Sequence, residues 1–311
     1  MKRNFLFKKR NKILSFEKLS DDTKKILIKI GSVTYDKNRK NINIIFVGLS
    51  SLNKKILSHY NNLEYIISFT TGLNHIDLKY CKKNNIKIIS LRDIKHKIQN
   101  ISSTAELAIA LMLNLLRKVN LANKEIFYNK IWKRENFQSS QIQSLKFGII
   151  GYGRIGKKIK NFLKLFHANE IIVNDIRKIH GIKTSSKKYL LQNSDIIFLS
   201  ASDLGKGEIL ERKDLNLIKK GCIFINISRG NLIDEKYLLK LFSLNRISGI
   251  GLDVLSNENK KNFLLNEKKL LSLKNKNIIL TPHIGGCTID AMNMTQKKIA
   301  LYLYDYLKNK K

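Results

Sequence analysis

A glycine pattern directly after an apolar strand constrains the fold of this chain more than any other feature. The segment 147–156 reads FGIIGYGRIG, so an apolar strand leads through Gly151 and Gly153 to Gly156 in an amphipathic helix. Gly151 permits a tight turn, Gly153 lets the backbone approach a diphosphate, and Gly156 lets helix and strand pack closely. The pattern therefore predicts a dinucleotide-binding βαβ unit with the diphosphate at the helix N-terminus.

The acid that such a unit needs ends the following strand. Asp175 closes the apolar run 171–175 and stands nineteen residues after Gly156. A carboxylate there accepts hydrogen bonds from the adenosine ribose hydroxyls and repels a 2′-phosphate. The sequence therefore predicts NAD as the cofactor rather than NADP. Arg177, two residues further on, is a cation that counts against a strict preference.

Composition excludes several other classes of protein. The 311 residues are 43% hydrophobic and 27% charged, which is ordinary for globular domains and too apolar for wholesale disorder. Three cysteines without a CxxC pair exclude a disulfide scaffold and a zinc ribbon, and we expect no metal. No apolar run reaches the roughly 18 residues that cross a bilayer, and residues 1–10 lack the apolar core of a signal peptide. We therefore expect a cytoplasmic protein without a membrane partner.

The net charge is the most unusual feature of the composition. The 59 lysines and arginines against 24 acidic residues give +35, a balance that raises the hypothesis of nucleic-acid binding. The lysines are dispersed, however, and the chain has a single proline, as expected where a coding sequence drifts toward A and T. We therefore do not expect nucleic acid to be the main partner. A positive field still attracts small anions.

Strand and helix patterns alternate along the chain in two series. In the first series, the apolar segments that predict strands are 13–16, 32–35, 42–47, 65–69 and 86–89, with a helix over 51–60. In the second series they are 146–150, 171–174, 195–199, 222–226, 248–252 and 278–280. Ser103–Glu106 predicts a capping box that opens an apolar helix, and a last helix is expected over 288–308. Strands separated by helices predict parallel sheets, and the length suits two domains.

Three polar side chains each follow an apolar strand of the second series. They are Arg229, Glu258 and His283. Because the carboxyl ends of parallel strands face one crevice, we expect these residues to converge there. Oxidation of a 2-hydroxy acid needs a base for the hydroxyl proton and a cation for the carboxylate, which suit His283 and Arg229. A carboxylate such as Glu258 orients the imidazole and favours its protonated form.

The motifs taken together resemble the D-isomer-specific 2-hydroxyacid dehydrogenase family. They are the glycine loop with Asp175, and the segments 226–230, 251–258 and 281–286, and the resemblance covers about residues 12 to 305. It implies an α/β protein in which a Rossmann domain, residues 102–286, is inserted in a flavodoxin-like substrate domain, residues 1–101 plus 287–311. It also implies a homodimer built through the nucleotide-binding domains, and a phosphoglycerate-dehydrogenase-like chain without a C-terminal regulatory domain.

The resemblance also implies functional roles for the residues of this chain that match the family's motifs. By motif position, Arg229, Glu258 and His283 are similar to the family's catalytic arginine, glutamate and histidine. The loop of Thr71, Gly72 and Leu73 resembles the one that holds the substrate carboxylate together with the catalytic arginine. The positions that resemble cofactor-binding residues are Gly151, Gly153, Arg154, Ile155, Gly156, Asp175, Ile227, Ser228, Asp253, Gly285 and Gly286.

The sequence thus favours an NAD-dependent oxidoreductase that acts on a small anionic 2-hydroxy or 2-oxo acid. D-3-phosphoglycerate is the first candidate substrate, with Arg92 and Lys95 as candidate phosphate ligands. Glyoxylate or hydroxypyruvate reduction and D-lactate oxidation are alternatives within the same class. A non-catalytic, NAD-gated binding protein is the alternative from another class, and nucleic-acid binding is a third.

Overall fold

The computed structural model describes residues 11–205, 207–258, 260 and 262–310. Residues 1–10, for which we expect no signal peptide, lie outside these ranges. The strands are β1 Asn11–Ser15, β2 Gly31–Thr34, β3 Ile44–Val47, β4 Tyr65–Ser68, β5 Lys87–Ser90, β6 Lys146–Ile150, β7 Glu170–Asn174, β8 Ile196–Leu199, β9 Cys222–Asn226, β10 Ile247–Leu252 and β11 Ile278–Leu280.

Helices separate most of these strands. They are α1 Asp21–Ile30, α2 Lys54–Leu57, α3 Leu78–Lys83, α4 Ser103–Leu116, α5 Val119–Asn129, α6 Arg154–Leu165, α7 Lys187–Asn193, α8 Arg212–Leu215, α9 Glu235–Ser243, α10 Phe263–Asn266, α11 Lys268–Ser272 and α12 Ile289–Asn309. Within the described ranges, no helix is long and apolar enough to cross a membrane.

The strands form two parallel sheets. A five-stranded sheet has the order β2-β1-β3-β4-β5, and a six-stranded sheet has the order β11-β10-β9-β8-β6-β7. The first order is that of flavodoxin-like sheets. The predicted fold class, α/β with two parallel sheets, is confirmed. At the β7 edge of the second sheet, Thr184 makes a single parallel bridge to Val173 where a Rossmann sheet commonly has a further strand.

The chain divides into two compact units. The first contains the described residues up to Ile101 and those from Thr288 onward, and the second is Ser102–Cys287. In the first unit, Ile13 and Phe46 face one side of the sheet and Leu14 and Ile45 face the other, all fully buried. Helices cover both sides, as a parallel sheet requires.

The last helix completes the core of the first unit. Ile299 and Leu303 of α12 are fully buried in the same cluster as α1. Gln296 is 2% exposed; its Oε1 accepts from the Ser20 amide at 2.9 Å and its Nε2 donates to the Lys18 carbonyl at 3.1 Å. These two bonds satisfy a buried amide side chain, which would otherwise be costly. They fix α12 against the start of α1.

The second unit packs helices on both faces of its sheet. Apolar residues of α4 and α6 pack on one face, and those of α9 pack on the other. The start of α4 differs from the predicted capping box. Ser102 occupies the N-cap position and its hydroxyl donates to Glu106, whereas the buried Ser103 hydroxyl has no hydrogen-bond partner among the described residues. The predicted capping box was therefore wrong: the N-cap position lies one residue earlier, and Ser102 makes no side-chain bond to a backbone N–H of the helix.

Candidate active site

The glycine loop joins β6 to α6 as a tight turn. Gly151 has φ of +89°, and its amide donates to the Asn174 carbonyl at 2.8 Å. A Cβ at Gly151 would lie 2.4 Å from the Cα of Ala201, so a larger residue would collide with the loop after β8. Left-handed backbone and this close approach together explain why the position needs glycine.

The space in front of the N-terminus of α6 is open. The helix starts at Arg154 after Gly153, and no side chain among the described residues caps it. A Cβ placed on Gly153 would meet no described atom within 4 Å. The first backbone N–H groups of a helix carry no intrahelical bond, and they favour an anion at this end. Arg154 is half-buried beside them, and burial lowers its pKa.

Asp175 sits at the end of β7 beside this loop. Its Oδ2 accepts from the Tyr152 amide at 2.7 Å and from Arg177 Nη2 at 3.2 Å. Its Oδ1 accepts from the Arg177 amide at 2.9 Å and from Arg177 Nε at 3.0 Å. Burial alone would raise the pKa of Asp175, but the hydrogen bonds from Arg177 and Tyr152 outweigh burial and hold that pKa below its usual value.

His283 and Glu258 form a hydrogen-bonded pair. His283 Nδ1 lies 2.7 Å from Glu258 Oε1, and the two side chains are 22% and 20% exposed. The second carboxylate oxygen, Oε2, accepts from the Leu255 amide at 3.0 Å, which fixes the carboxylate. Since Nδ1 is engaged, Nε2 is the imidazole nitrogen available to a reacting group.

The backbone of His283 is held in a strained conformation. His283 has φ of +55°, a left-handed conformation that is rare for residues other than glycine. Its amide donates to the carbonyls of Asp253 at 2.8 Å and Thr281 at 2.9 Å. Strained conformations of this kind persist only where surrounding contacts impose them, and they cluster at functional sites.

Asp253 provides those surrounding contacts. Its carboxylate, in a residue 2% exposed, accepts from Thr281 Oγ1 at 2.6 Å and from the amides of Ile284 at 2.8 Å and Gly285 at 2.9 Å. Burial raises the pKa of Asp253, and these three donors oppose that shift. A single buried carboxylate therefore shapes the loop that carries His283. Gly286, the next residue, is exposed.

Arg229 lies on the loop after β9, half-buried. Its Nη1 donates to the Ser228 carbonyl at 2.5 Å. The fully buried Asn226 supports the loop, accepting from the Ser228 amide and donating to the Arg229 carbonyl, each at 3.0 Å. A Cβ on Gly230 would lie 2.1 Å from the Ser256 amide nitrogen. The loop of Arg229 is therefore in backbone contact with the loop that leads to Glu258.

Glu235 is a site-supporting residue that sequence reasoning missed. Its Oε2 accepts from the Ser256 amide at 2.9 Å and from the Ser256 hydroxyl at 3.2 Å, and burial raises its pKa. It thereby ties α9 to the loop that leads to Glu258. The one signal available was its place directly after Asp234, the residue that caps α9. Asn226 and Thr281 were also missed as supports, although both lie within the quoted motifs.

The other predicted cofactor residues also belong to the second unit. Ile227 and Ser228 are buried after β9, and the Ser228 hydroxyl donates to the Ala201 carbonyl. Ile155 is half-buried in the first turn of α6, where a Cβ on Gly156 would lie 2.3 Å from the Gly151 carbonyl oxygen. Among the residues that the structure describes, no group of three His, Cys, Asp or Glu side chains could hold a metal ion.

The predicted substrate loop belongs to the first unit and follows β4. Thr71 is exposed, Gly72 is buried and Leu73 is half-buried. The Thr70 hydroxyl donates to the Gly72 carbonyl at 2.7 Å. Arg92 is exposed, and its Nε donates to the Thr71 carbonyl at 2.7 Å. The structure therefore places the Arg92 guanidinium directly at this loop.

Comparison with known proteins identifies the family. The family model for the NAD-binding domain of D-isomer-specific 2-hydroxyacid dehydrogenases matches residues 109–285, more than half of the chain. D-3-phosphoglycerate dehydrogenase 2 of Saccharomyces cerevisiae is 31% identical over 82% of this chain and 55% of its own length. A glyoxylate/hydroxypyruvate reductase of Arabidopsis thaliana is 29% identical over 84% of this chain and 81% of its own length.

A solved structure shows the same fold. The D-lactate dehydrogenase of Aquifex aeolicus, crystallised with NAD and lactic acid, superposes with a TM-score of 0.80 at 24% identity, over 96% of each chain. The chain belongs to the D-isomer-specific 2-hydroxyacid dehydrogenase family. It is an NAD-dependent oxidoreductase of the α/β class with a Rossmann domain. The uncapped α6 N-terminus and the open space at Gly153 suit a bound dinucleotide diphosphate.

The half-buried position of Glu235 generates a prediction about pH. Its folded-state pKa lies above the unfolded value, so the unfolded chain releases this proton first as pH rises. The free energy of unfolding of the wild type should therefore fall, relative to Glu235→Gln, as pH rises above about 4.5. It should level off once the folded-state carboxyl has ionised. Urea unfolding followed by circular dichroism between pH 4 and 8 measures the difference.

Glu235→Ala is the control, because it also removes both bonds to Ser256 and should be less stable than Glu235→Gln at every pH. A difference between wild type and Glu235→Gln that grows in the opposite direction, with the wild type gaining stability as pH rises, would contradict the assignment.

Proposed function

We propose that the chain oxidises a D-2-hydroxy acid to the 2-oxo acid, or catalyses the reverse reduction, with His283, Glu258 and Arg229 as the catalytic residues. The observation that carries this proposal is the 2.7 Å contact between His283 and Glu258, next to the loop of Arg229. Bound NAD supplies the hydride acceptor for C2 of the hydroxy acid. His283 accepts the hydroxyl proton through Nε2, so that the hydride and the proton both leave the substrate.

Glu258 and Arg229 serve this proton transfer. Glu258 orients the imidazole through Nδ1 and stabilises the imidazolium that forms. Arg229 offers a planar guanidinium that matches the oxygens of the 2-hydroxy acid. The loop of Thr71, Gly72 and Leu73 contributes backbone N–H groups to the substrate carboxylate. In the direction of reduction, the protonated His283 returns the proton to the carbonyl oxygen.

D-3-phosphoglycerate is the substrate we propose first. The contact of Arg92 with the Thr71 carbonyl supports this choice, because it holds a guanidinium at the loop assigned to the substrate. A phosphorylated substrate needs a cation beyond the one that binds its carboxylate. The Saccharomyces cerevisiae relative acts on D-3-phosphoglycerate by its name, and the Arabidopsis thaliana relative on glyoxylate or hydroxypyruvate. The latter reaction is the alternative, as is D-lactate oxidation.

We also infer a cytoplasmic homodimer. Two of the three cysteines, Cys81 and Cys222, are buried as free thiols, which suits a reducing compartment. Burial raises the pKa of the Cys81 thiol to about 11, so it stays protonated and unreactive.

The exposure of α5 supports the dimer. All residues of this helix are described, and none of them is buried. Phe127 of α5 is 65% exposed, and Trp132, three residues after the end of this helix, is 86% exposed. Apolar exposure of this kind marks an interface.

The catalytic assignment is tested with NADH and a panel of glyoxylate, hydroxypyruvate, phosphohydroxypyruvate and pyruvate. The wild type should consume NADH with at least one of them. His283→Ala should lower kcat by about 10² to 10⁴, the usual contribution of a general acid or base. Arg229→Ala should raise KM and lower kcat together. The control is His59→Ala, which removes an exposed imidazole in the first unit and should leave the rate unchanged. Turnover no higher than that of Arg229→Ala with every acid would refute the enzymatic proposal.

The choice of substrate is tested through Arg92. Arg92→Ala should raise KM for phosphohydroxypyruvate about tenfold or more, since a charge-assisted hydrogen bond is lost, and should change KM for glyoxylate little. Arg39→Ala, which removes another exposed arginine of the first unit, is the matched control. Equal increases in KM for both acids would mean that Arg92 only supports the loop, and phosphoglycerate would lose its place as first candidate.

The dimer is tested by sedimentation equilibrium. The wild type should sediment at twice the 36.0 kDa of one chain. Phe127→Asp should shift it toward the monomer, because a charge replaces apolar contact area. Leu244→Asp is the control, since Leu244 is 63% exposed but follows α9, which packs on the opposite face of the sheet from α4. A wild-type monomer would refute the dimer.

A further inference from the structure

The acceptor capacity of the Asp175 carboxylate is already filled by the protein itself. An ionised carboxylate has about four lone-pair positions. In Asp175 they receive the Tyr152 amide and three N–H groups of Arg177, at 2.7 to 3.2 Å. The Asp175 side chain is 5% exposed, whereas the Arg177 side chain is 64% exposed. Arg177 therefore covers the carboxylate from the solvent side.

This arrangement bears on how the adenosine ribose is recognised. A ribose hydroxyl needs an acceptor oxygen of Asp175, so it competes with the guanidinium for the same lone pairs. The Arg177 side chain is 64% exposed, so water can replace its bonds to Asp175 when a ribose hydroxyl displaces the guanidinium. Once displaced, the cation stays tethered two residues from the carboxylate, beside the 2′ position of the ribose. A 2′-phosphate would meet this cation instead of an unscreened negative charge.

We propose that Arg177 is a specificity-determining residue that weakens the preference for NAD over NADP. Arg177 weakens the binding of NAD, because it competes with the ribose for Asp175. It strengthens the binding of NADP, because it attracts the 2′-phosphate. This inference rests on the proposed function, since it concerns the cofactor of the same site. Its experiment measures binding of the reduced cofactors by their fluorescence, which requires no turnover.

Arg177→Ala should move the two dissociation constants in opposite directions. Kd for NADH should fall about two- to fivefold, because the competitor for the carboxylate is removed. Kd for NADPH should rise about tenfold or more, because a charge-assisted contact with phosphate is lost and the charge of Asp175 is exposed. Arg177→Lys keeps the cation and should retain most of the affinity for NADPH. Asp175→Asn should weaken the binding of NADH and strengthen the binding of NADPH.

The matched control is Lys220→Ala, which removes an exposed cation just before β9, at the amino end of the strands. It lowers the net charge by the same amount and should leave the ratio of the two dissociation constants unchanged. An equal loss of NADPH affinity in Lys220→Ala would assign the effect to the overall positive field and overturn the proposal. A change of both constants in the same direction in Arg177→Ala would also overturn it.

The failure of the proposed function has a different signature. Tight binding of NADH without reduction of any 2-oxo acid would count against the catalytic proposal, and the comparison of Arg177→Ala with wild type would still decide the role of Arg177. Absence of binding by both cofactors would overturn the role of Arg177 together with the assignment of the glycine loop.

Discussion

The buried carboxylate of Asp253 is the interaction on which the geometry of the site depends. It lies at the end of β10 and accepts three hydrogen bonds from Thr281, Ile284 and Gly285, all on the loop that follows β11. Without that acceptor, the loop would have buried donors to satisfy and no reason to adopt the left-handed backbone at His283. The position of the imidazole is therefore set by hydrogen bonds that never touch a substrate.

The neighbouring loops are fixed in a similar way. Asn226 ties down the loop of Arg229, and Glu235 ties down Ser256 ahead of Glu258. Each anchor is buried or half-buried, so its bonds are shielded from water and hold their geometry. A catalytic group positioned on rigid strand ends and supported by such bonds needs little rearrangement when substrate binds.

The sequence predicts the fold well because parallel strands leave two strong signals. Buried strands appear as short continuous apolar runs, and all eleven strands of the described ranges overlap a predicted segment. The site follows from the same geometry, since strand ends at one edge of a sheet must lie near each other. His283 and Glu258 stand 25 residues apart, and they meet as that reasoning expects.

Contacts that depend on exact backbone placement could not be predicted from the sequence. The N-cap position of α4 is Ser102 rather than Ser103, and the sequence does not distinguish these two serines because they are chemically equivalent as caps. The Ser102 hydroxyl bonds the Glu106 side chain instead of a backbone N–H. The helix expected over 51–60 is only Lys54–Leu57, since Asn53 starts it and no long apolar face sustains it. The clamp of Arg177 on Asp175 is equally invisible, because spacing by two residues does not determine which way a flexible side chain turns.

The path of the chain through the first unit has a consequence for synthesis on the ribosome. Ile299 and Leu303 of α12 fill a core whose strands all precede residue 91, and Gln296 closes it onto α1. The second unit, by contrast, is one continuous stretch, Ser102–Cys287. The nascent chain must therefore carry an unfinished sheet with apolar surface uncovered while the whole of the second unit is translated. Newly made protein is most in need of chaperone protection during that interval.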